Sequence, residues 1–227
     1  MKNSAHIIIL LSILLIGCTR ESFLDFEPKG QVIPTKVEEF RALLDQVEQD
    51  PNINFTQGFA AHHDFTIIAS DNYLLTDNVR SNFGVSPEEI NIYLYRDQIS
   101  TENGDDNTWI RYYNQIYVAN VVLEGLKTVE NGTTEEIAAL KADASLQRAF
   151  AYFNLVNIYS VHYNPTTADT DLGVPIREGI DLEGLDFTRA SVAKVYNLIL
   201  SDINSNIEAL PDTQPINLSF RPSKAGA

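Results

Sequence analysis

The sequence predicts a mainly α fold, built from antiparallel helical hairpins that are separated by long irregular loops. Apolar side chains recur every three or four residues across residues 109–126 and again across 134–160, which is typical of amphipathic helices. The turn between these two segments is so short that the helices must lie antiparallel. Glycine, proline, asparagine and aspartate interrupt residues 51–108 and 161–190, which therefore predict loops.

The N-terminus carries the pattern of a bacterial lipoprotein signal. Lys2 precedes an apolar run over residues 7–16, and Cys18, the only cysteine of the chain, follows a small residue. A helix that crosses a bilayer needs about 20 apolar residues, so we expect this shorter run to be removed on maturation. The pattern predicts a signal peptide over residues 1–17 and a lipid anchor on the thiol of Cys18. The alternative is an ordinary secretory signal followed by a chance cysteine.

The chain is acidic, with 31 Asp and Glu residues against 16 Lys and Arg residues and a formal charge of −15. This charge disfavours nucleic acid as a partner, because nucleic-acid binding requires basic surface. It also disfavours spreading over anionic lipid, so the lipid anchor must hold the protein at the membrane. A single cysteine allows no disulfide within the chain, and packing alone must stabilise the fold.

Between the anchor and the first hairpin, the sequence predicts a tether and three helices. Residues 18–34 hold two prolines and a glycine among acidic residues and predict an extended tether. Thr35-Lys36-Val37-Glu38 has the spacing of a capping box and predicts a helix over residues 36–49. Shorter helices are expected near residues 59–69 and 87–96. The buried stripe of the first helix is expected to be Val37, Phe40, Leu44 and Val47.

The hairpin itself is predicted over residues 109–160. Asn131-Gly132 is expected to end its first helix and Thr134 to begin its second. Ala149 and Phe153 fit the A-x3-F part of the tetratricopeptide pattern, so the hairpin is predicted to be tetratricopeptide-like. The expected buried stripe of the first helix is Tyr112, Ile116, Ala119, Leu123 and Leu126. That of the second helix is Ala138, Ala142, Leu146, Ala149, Phe153 and Val156, widened by Phe150 and Tyr159.

A further helix is predicted over residues 191–210. Ser191 is a suitable N-cap, and Pro211 follows the last apolar residue. Residues 221–227 have the pattern of another helix start. The expected buried stripe is Val192, Tyr196, Ile199, Ile203, Ile207 and Leu210. The apolar side chains expected to exceed what one neighbouring helix covers are Val195, Leu198 and Ile199.

Five motifs follow one another along the chain. They are Phe23-Leu24-Asp25, Trp109-x3-Tyr113-x2-Ile116-x3-Asn120, Arg148-Ala149-Phe150-Ala151-Tyr152-Phe153-Asn154-Leu155 with Tyr159, Gly173-Val174-Pro175-Ile176, and Arg189-Ala190-Ser191-Val192 leading to Tyr196, Ile199, Asp202 and Leu210-Pro211. In this order and spacing they resemble the SusD/RagB family of nutrient-binding lipoproteins of Bacteroidota. Members of that family are considerably longer, so the resemblance implies that residues 35–227 are a SusD-like N-terminal α-helical domain in truncated form.

The resemblance also implies a function and a location. It implies a lipoprotein of the outer membrane that faces outward, binds an oligosaccharide or a peptide, and delivers it to a SusC-type TonB-dependent transporter. It implies a binding protein and not an enzyme. Three alternatives stay open: a structural or adhesive surface lipoprotein, a peptide ligand in place of a glycan, and an enzyme whose groups lie in the loops.

Aromatic and polar residues suited to sugar binding occur in two short segments of the first loop. Glycan binding needs flat aromatic faces for the apolar side of a sugar ring and polar groups for its hydroxyls. Asp71-Asn72-Tyr73 and Tyr93-Leu94-Tyr95-Arg96 offer both, although these tyrosines also fit a role as cover for the helical core. Trp109 is assigned to the core. The predicted ligand-binding residues are Asp71, Asn72, Tyr73, Tyr93, Tyr95 and Arg96.

The sequence suggests no catalytic group, metal or cofactor. No nucleophile, base and orienting group stand out as a triad. His62-His63-Asp64 lacks a second pair of metal ligands nearby. The oxygen-rich segments Asn103-Gly104-Asp105-Asp106-Asn107 and Asp169-Thr170-Asp171 do not meet the EF-hand spacing, so solvated turns are the favoured interpretation.

Overall fold

The computed structural model describes residues 34–46, 67–82, 84–99 and 106–227. The signal peptide, Cys18, nearly all of the tether and His62-His63-Asp64 lie outside the described residues. In the described stretches the chain forms six α-helices and short 3-10 turns, which makes the fold mainly α as predicted. The helices are α1 (Val37–Leu44), α2 (Asp77–Asn82), α3 (Pro87–Tyr93), α4 (Asn107–Gly125), α5 (Thr134–Tyr159) and α6 (Val192–Asn206).

Helices α4 and α5 form the predicted hairpin, and α6 packs against the other side of α5. Asp106 caps α4, where its carboxylate accepts a hydrogen bond from the Trp109 amide at 3.0 Å. Helix α5 begins at Thr134 as predicted, and its N-cap is Thr133, which forms a reciprocal capping box with Glu136. Gly132 has φ +96° in the turn between the helices, a conformation that glycine adopts without strain.

The middle of α5 is buried on several faces, because α4 and α6 cover it from two sides. The fully buried ring is Tyr152, whereas Phe153, predicted to be core, is 48% exposed. On α4 the buried stripe uses Val122 where Leu123 was expected, and Leu123 is half-buried. One core cluster joins the three helices; its members include Tyr112, Ile116, Ala149, Tyr152, Leu155, Val192, Val195 and Ile199.

Helix α6 begins as predicted, with the Ser191 hydroxyl accepting a hydrogen bond from the Lys194 amide. It ends at Asn206, and a 3-10 turn over Ile207–Ala209 leads to the buried Leu210. The expected uncovered face is wrong for two of its three residues, since Val195 and Ile199 are buried against the core. Tyr196, Ile203 and Ile207 are only partly buried, so the buried stripe lies closer to Val195 and Asp202 than predicted.

Helix α1 packs against the turn end of the α4–α5 hairpin. The ring of Phe40 occupies the space beside Gly125, where an added Cβ would come within 2.2 Å of it. The carboxylate that reaches back to the helix start is Glu39, which accepts from the Thr35 amide at 2.8 Å, and not Glu38 as predicted. The helix ends at Leu44 rather than at 49. Its core cluster contains Phe40, Leu44, Val122, Leu126, Leu140 and Ala144.

Three smaller predictions need adjustment. Of the helix expected near residues 59–69, the described part holds only Ile67 and Ile68 in helical conformation. The helix expected over 87–96 is α3, which begins with a capping box between Ser86 and Glu89 and ends at Tyr93. At the C-terminus the expected helix start is a single 3-10 turn, Lys224–Gly226.

Candidate ligand-binding site

The two predicted binding segments lie next to each other in the fold. The rings of Tyr73 and Tyr93 meet edge to face, with their centroids 6.0 Å apart. The Tyr95 hydroxyl donates a hydrogen bond to the carbonyl oxygen of Ala69. Segments that are some twenty residues apart in sequence are therefore brought together. We call the surface formed by Asp71, Asn72, Tyr73, Tyr93, Tyr95 and Arg96 the tyrosine face.

Most of the tyrosine face is accessible to solvent. Asp71, Asn72, Tyr95 and Arg96 are exposed, and Tyr73 and Tyr93 are half-buried. Tyr95 has φ +51°, which is uncommon for a residue with a side chain. This conformation directs the chain back after α3, so the Tyr95 and Arg96 amides donate to the Ile92 and Asn91 carbonyls at 3.0 Å. The face therefore presents aromatic and polar groups on a hydrogen-bonded turn.

A cavity of about 470 Å³ lies between α3 and the ends of the α4–α5 hairpin. Ile68, Ile92 and Ile99 supply apolar wall, while Asp97 and Arg111 supply charge. Its size falls in the range of small-molecule pockets. None of the six residues of the tyrosine face lines it, but Ile68 lies three residues before Asp71, and Ile92 directly precedes Tyr93. Further lining residues are Ser86, Glu88, Glu89, Gln98, Asp106, Thr108, Ile158 and Tyr159.

Asp106 and Tyr159 close the cavity towards the hairpin. The Tyr159 hydroxyl lies 2.7 and 2.8 Å from the two carboxylate oxygens of Asp106. Burial and the adjacent Asp106 carboxylate raise the pKa of Tyr159 above its ordinary value, so the phenol stays protonated and donates. Trp109 packs edge to face on Tyr159, with ring centroids 4.9 Å apart. Asp106 belongs to the oxygen-rich segment 103–107. Its carboxylate caps α4 and accepts a hydrogen bond from the Tyr159 hydroxyl.

Sequence reasoning missed the polar side chains of the hairpin that hold the second loop, residues 161–190, in place. The Tyr113 hydroxyl donates to the Pro175 carbonyl at 2.7 Å, and the side-chain amide of Asn120 donates to the Arg177 carbonyl at 2.9 Å. The Tyr152 hydroxyl donates to the same Arg177 carbonyl at 3.0 Å. Burial raises the pKa of Tyr152 to about 12. Tyr113, Asn120 and Tyr152 all belong to motifs of the resemblance, which was the available signal.

A buried ion pair links α5 to α6 beside these residues. The Arg148 guanidinium donates to both carboxylate oxygens of Asp202 at 2.7 and 2.8 Å. It also donates to the side-chain oxygen Oδ1 of Asn120 at 2.8 Å. Burial alone would lower the pKa of Arg148, but the hydrogen bonds and charge of Asp202 outweigh it and raise that pKa. The guanidinium is therefore charged, and Asn120 connects the pair to the second loop.

The described residues include no group of three or more His, Cys, Asp or Glu side chains that could hold a metal ion. Among the same residues, no helix is long and apolar enough to span a bilayer.

The motifs, the helical hairpin and its buried polar network agree with a comparison of the chain with known families. A model of SusD-like proteins, described as starch-binding and associating with the outer membrane, matches residues 22–227. The chain belongs to the SusD-like family. No curated protein sequence matches this SusD-like chain.

Solved structures share the fold of this SusD-like chain. A SusD superfamily protein from Bacteroides fragilis is 22% identical, with a TM-score of 0.64 over 86% of this chain and 44% of the other. One from Bacteroides thetaiotaomicron is 19% identical, with a TM-score of 0.58 over 79% and 38%. A laminarin-binding SusD-like protein is 24% identical, with a TM-score of 0.54 over 84% and 38%. The chain spans less than half the length of each of these structures.

Proposed function

We propose that this chain is the N-terminal part of a surface-exposed outer-membrane lipoprotein that binds an oligosaccharide and delivers it to a SusC-type TonB-dependent transporter. Membership of a family described as starch-binding and associating with the outer membrane supports this proposal. A laminarin-binding protein of the same fold also supports a glycan ligand. The role is binding and not catalysis.

The observation that carries the glycan proposal is the juxtaposition within the tyrosine face. The Tyr73 and Tyr93 rings meet edge to face, and the exposed Tyr95 contacts the first segment through its hydrogen bond to Ala69. The same two segments carry an exposed carboxylate, amide and guanidinium. The apolar face of a sugar ring packs on aromatic side chains, while its hydroxyls need such polar partners. The neighbouring cavity offers space for part of the ligand. A peptide would use the same groups and is the alternative ligand.

The location rests on the N-terminal pattern and on the charge. Acylation of Cys18 with two or more chains would hold the protein firmly at a membrane. The net charge of −15 opposes contact of the protein body with anionic lipid. We propose that the described domain faces outward from the membrane, where a nutrient arrives. A structural or adhesive lipoprotein would share this anchor, so ligand binding distinguishes the two functions.

Affinity measurements with defined glycans test the proposal. A soluble form that carries Cys18→Ser is titrated with malto- and laminari-oligosaccharides and with a mixed peptide control. Tyr95→Ala should weaken glycan binding on the order of tenfold, about 1.4 kcal/mol, while Tyr95→Phe should retain it. The matched control is Tyr163→Ala, an exposed tyrosine outside the tyrosine face. Equal loss with both alanine variants, or binding of peptides alone, would contradict the glycan assignment.

A further inference from the structure

The turn between α4 and α5 contains Asn131-Gly132, a pair of residues that is prone to deamidation. Asparagine side chains are among the chemically labile groups of proteins. A following glycine has no Cβ that would obstruct attack by its own amide nitrogen. Gly132 has φ +96°, and no described residue accepts a hydrogen bond from its amide. Within the described part of the chain, the nitrogen that would attack Asn131 is therefore not engaged elsewhere.

The side-chain amide of Asn131 is held by the start of α1. Its Oδ1 accepts a hydrogen bond from the Val37 amide at 2.8 Å, and its Nδ2 donates to the Glu38 carboxylate at 2.9 Å. The hydrogen bond from Asn131 lowers the pKa of Glu38 below its ordinary value, so this carboxylate is charged near neutral pH. The backbone adds a further link, because the Glu130 amide donates to the Thr35 carbonyl at 2.9 Å. The contact between α1 and the turn thus consists of bonds within the chain itself.

We propose that Asn131 is a site of spontaneous deamidation, and that the start of α1 protects it. In this reaction the Gly132 nitrogen attacks Cγ of Asn131 and loses its proton, the Cγ–Nδ2 bond breaks, and Nδ2 leaves as ammonia. Water then opens the succinimide ring at either carbonyl carbon and leaves aspartate or isoaspartate at position 131. Departure of Nδ2 breaks its hydrogen bond to Glu38. The reaction is therefore favoured when the first turn of α1 opens locally.

Deamidation would weaken the same contact that protects the site. Both products lack the Nδ2 donor and place a negative charge beside the Glu38 carboxylate, which repels it. Isoaspartate also adds a carbon atom to the main chain of the turn and shortens the side chain. The start of α1 then packs less firmly on the hairpin. Because hydrolysis does not restore the amide, the reaction converts a transient opening of α1 into a permanent change.

Peptide mapping by mass spectrometry tests the site. The full chain with Cys18→Ser is incubated at mildly alkaline pH, and conversion of the amide to the acid is followed at Asn131, separately from the second Asn-Gly pair at 103–104. Glu38→Ala should accelerate conversion about three- to tenfold, because one hydrogen bond is lost. The matched control is Glu135→Ala, which removes a first-turn glutamate of α5 and should leave the rate unchanged. In urea, all three proteins should convert faster and at one common rate.

A second measurement tests the consequence of the reaction. Asn131→Asp reproduces one product and should speed hydrogen–deuterium exchange of the α1 amides. Asn131→Asp combined with Glu38→Gln should reverse this effect, because the glutamine amide can donate to the new carboxylate. No conversion at position 131 in urea would overturn the site. Equal rates for the folded wild type, Glu38→Ala and Glu135→Ala, or no conversion of any folded protein, would overturn protection by α1. Unchanged exchange in Asn131→Asp would overturn the weakening of the contact.

Discussion

Removing the carboxylate of Asp202 should destabilise the protein more than removing any exposed charge. The side chains of Arg148 and Asp202 are only 10% and 8% exposed. Two hydrogen bonds join them, and a third joins Arg148 to Asn120. In Asp202→Ala the guanidinium would stay buried, with the neutral Asn120 oxygen as its remaining partner in this network. The perturbation therefore tests whether the pair holds α5, α6 and the second loop together.

The magnitude follows from the burial. Breaking a buried ion pair by removing one partner costs about 3–5 kcal/mol, because the remaining charge is left without compensation. Total stabilities of domains are about 5–15 kcal/mol, so the loss is a large fraction. Exposed ion pairs contribute about 0–1 kcal/mol. Lys127 and Glu124 form such an exposed pair, and Glu124→Ala is the matched control.

Urea unfolding of the Cys18→Ser form, followed by helical circular dichroism, measures these differences. Asp202→Ala and Arg148→Met should each lower the free energy of unfolding by about 3–5 kcal/mol, and the double variant Arg148→Met/Asp202→Leu should recover part of it. A loss of less than about 1 kcal/mol for Asp202→Ala, equal to that of Glu124→Ala, would refute the reasoning. Additive losses in the double variant would show that the two side chains do not act as a pair.

Other residues give predictions of different kinds. Tyr152→Ala removes a fully buried ring and should cost about 3–5 kcal/mol, whereas the exposed Phe153→Ala should cost less than about 1 kcal/mol; thermal melting decides, and equal costs would contradict the observed burial. Burial raises the pKa of Asp143 despite the opposing charge of Arg41, so its folded-state pKa exceeds its unfolded value. Stability relative to Asp143→Asn should therefore fall as pH rises from about 4 through that raised pKa; urea unfolding at several pH values measures it, and a relative gain with rising pH would contradict the assignment. Cys18→Ala should abolish labelling with a radioactive fatty acid, and label that persists would rule out Cys18 as the acceptor.

The periodicity of the sequence was sufficient to predict the hairpin and α6, because their apolar spacing and caps are local features. It was not sufficient to identify which ring of α5 is buried. A helix that is covered by two neighbours has no single buried stripe, so periodicity cannot separate Tyr152 from Phe153. The identity of the cap of α5 is a simpler case. Two adjacent threonines are equivalent as caps until the position of Glu136 is taken into account.

The tyrosine face shows a different limit of sequence reasoning. The residue types in its two segments indicated sugar binding, but nothing local places Tyr73 beside Tyr93. That contact depends on how residues 67–99 fold over the end of the hairpin. The left-handed conformation of Tyr95 is likewise not expected from its residue type. The residue types of the candidate site could thus be proposed from the sequence, whereas their arrangement in space could not.

The motif residues of the hairpin serve the fold and not a ligand. Among the described residues, the strand-like pairing of the second loop is one isolated bridge between Leu172 and Ser191. The buried carbonyl groups of the loop therefore need other hydrogen-bond donors. Tyr113, Asn120 and Tyr152 supply them from the hairpin. These side chains are therefore occupied by the backbone and are not free for a ligand. A resemblance that rests on them identifies the fold, and a ligand must be held by other groups, for which we propose the tyrosine face.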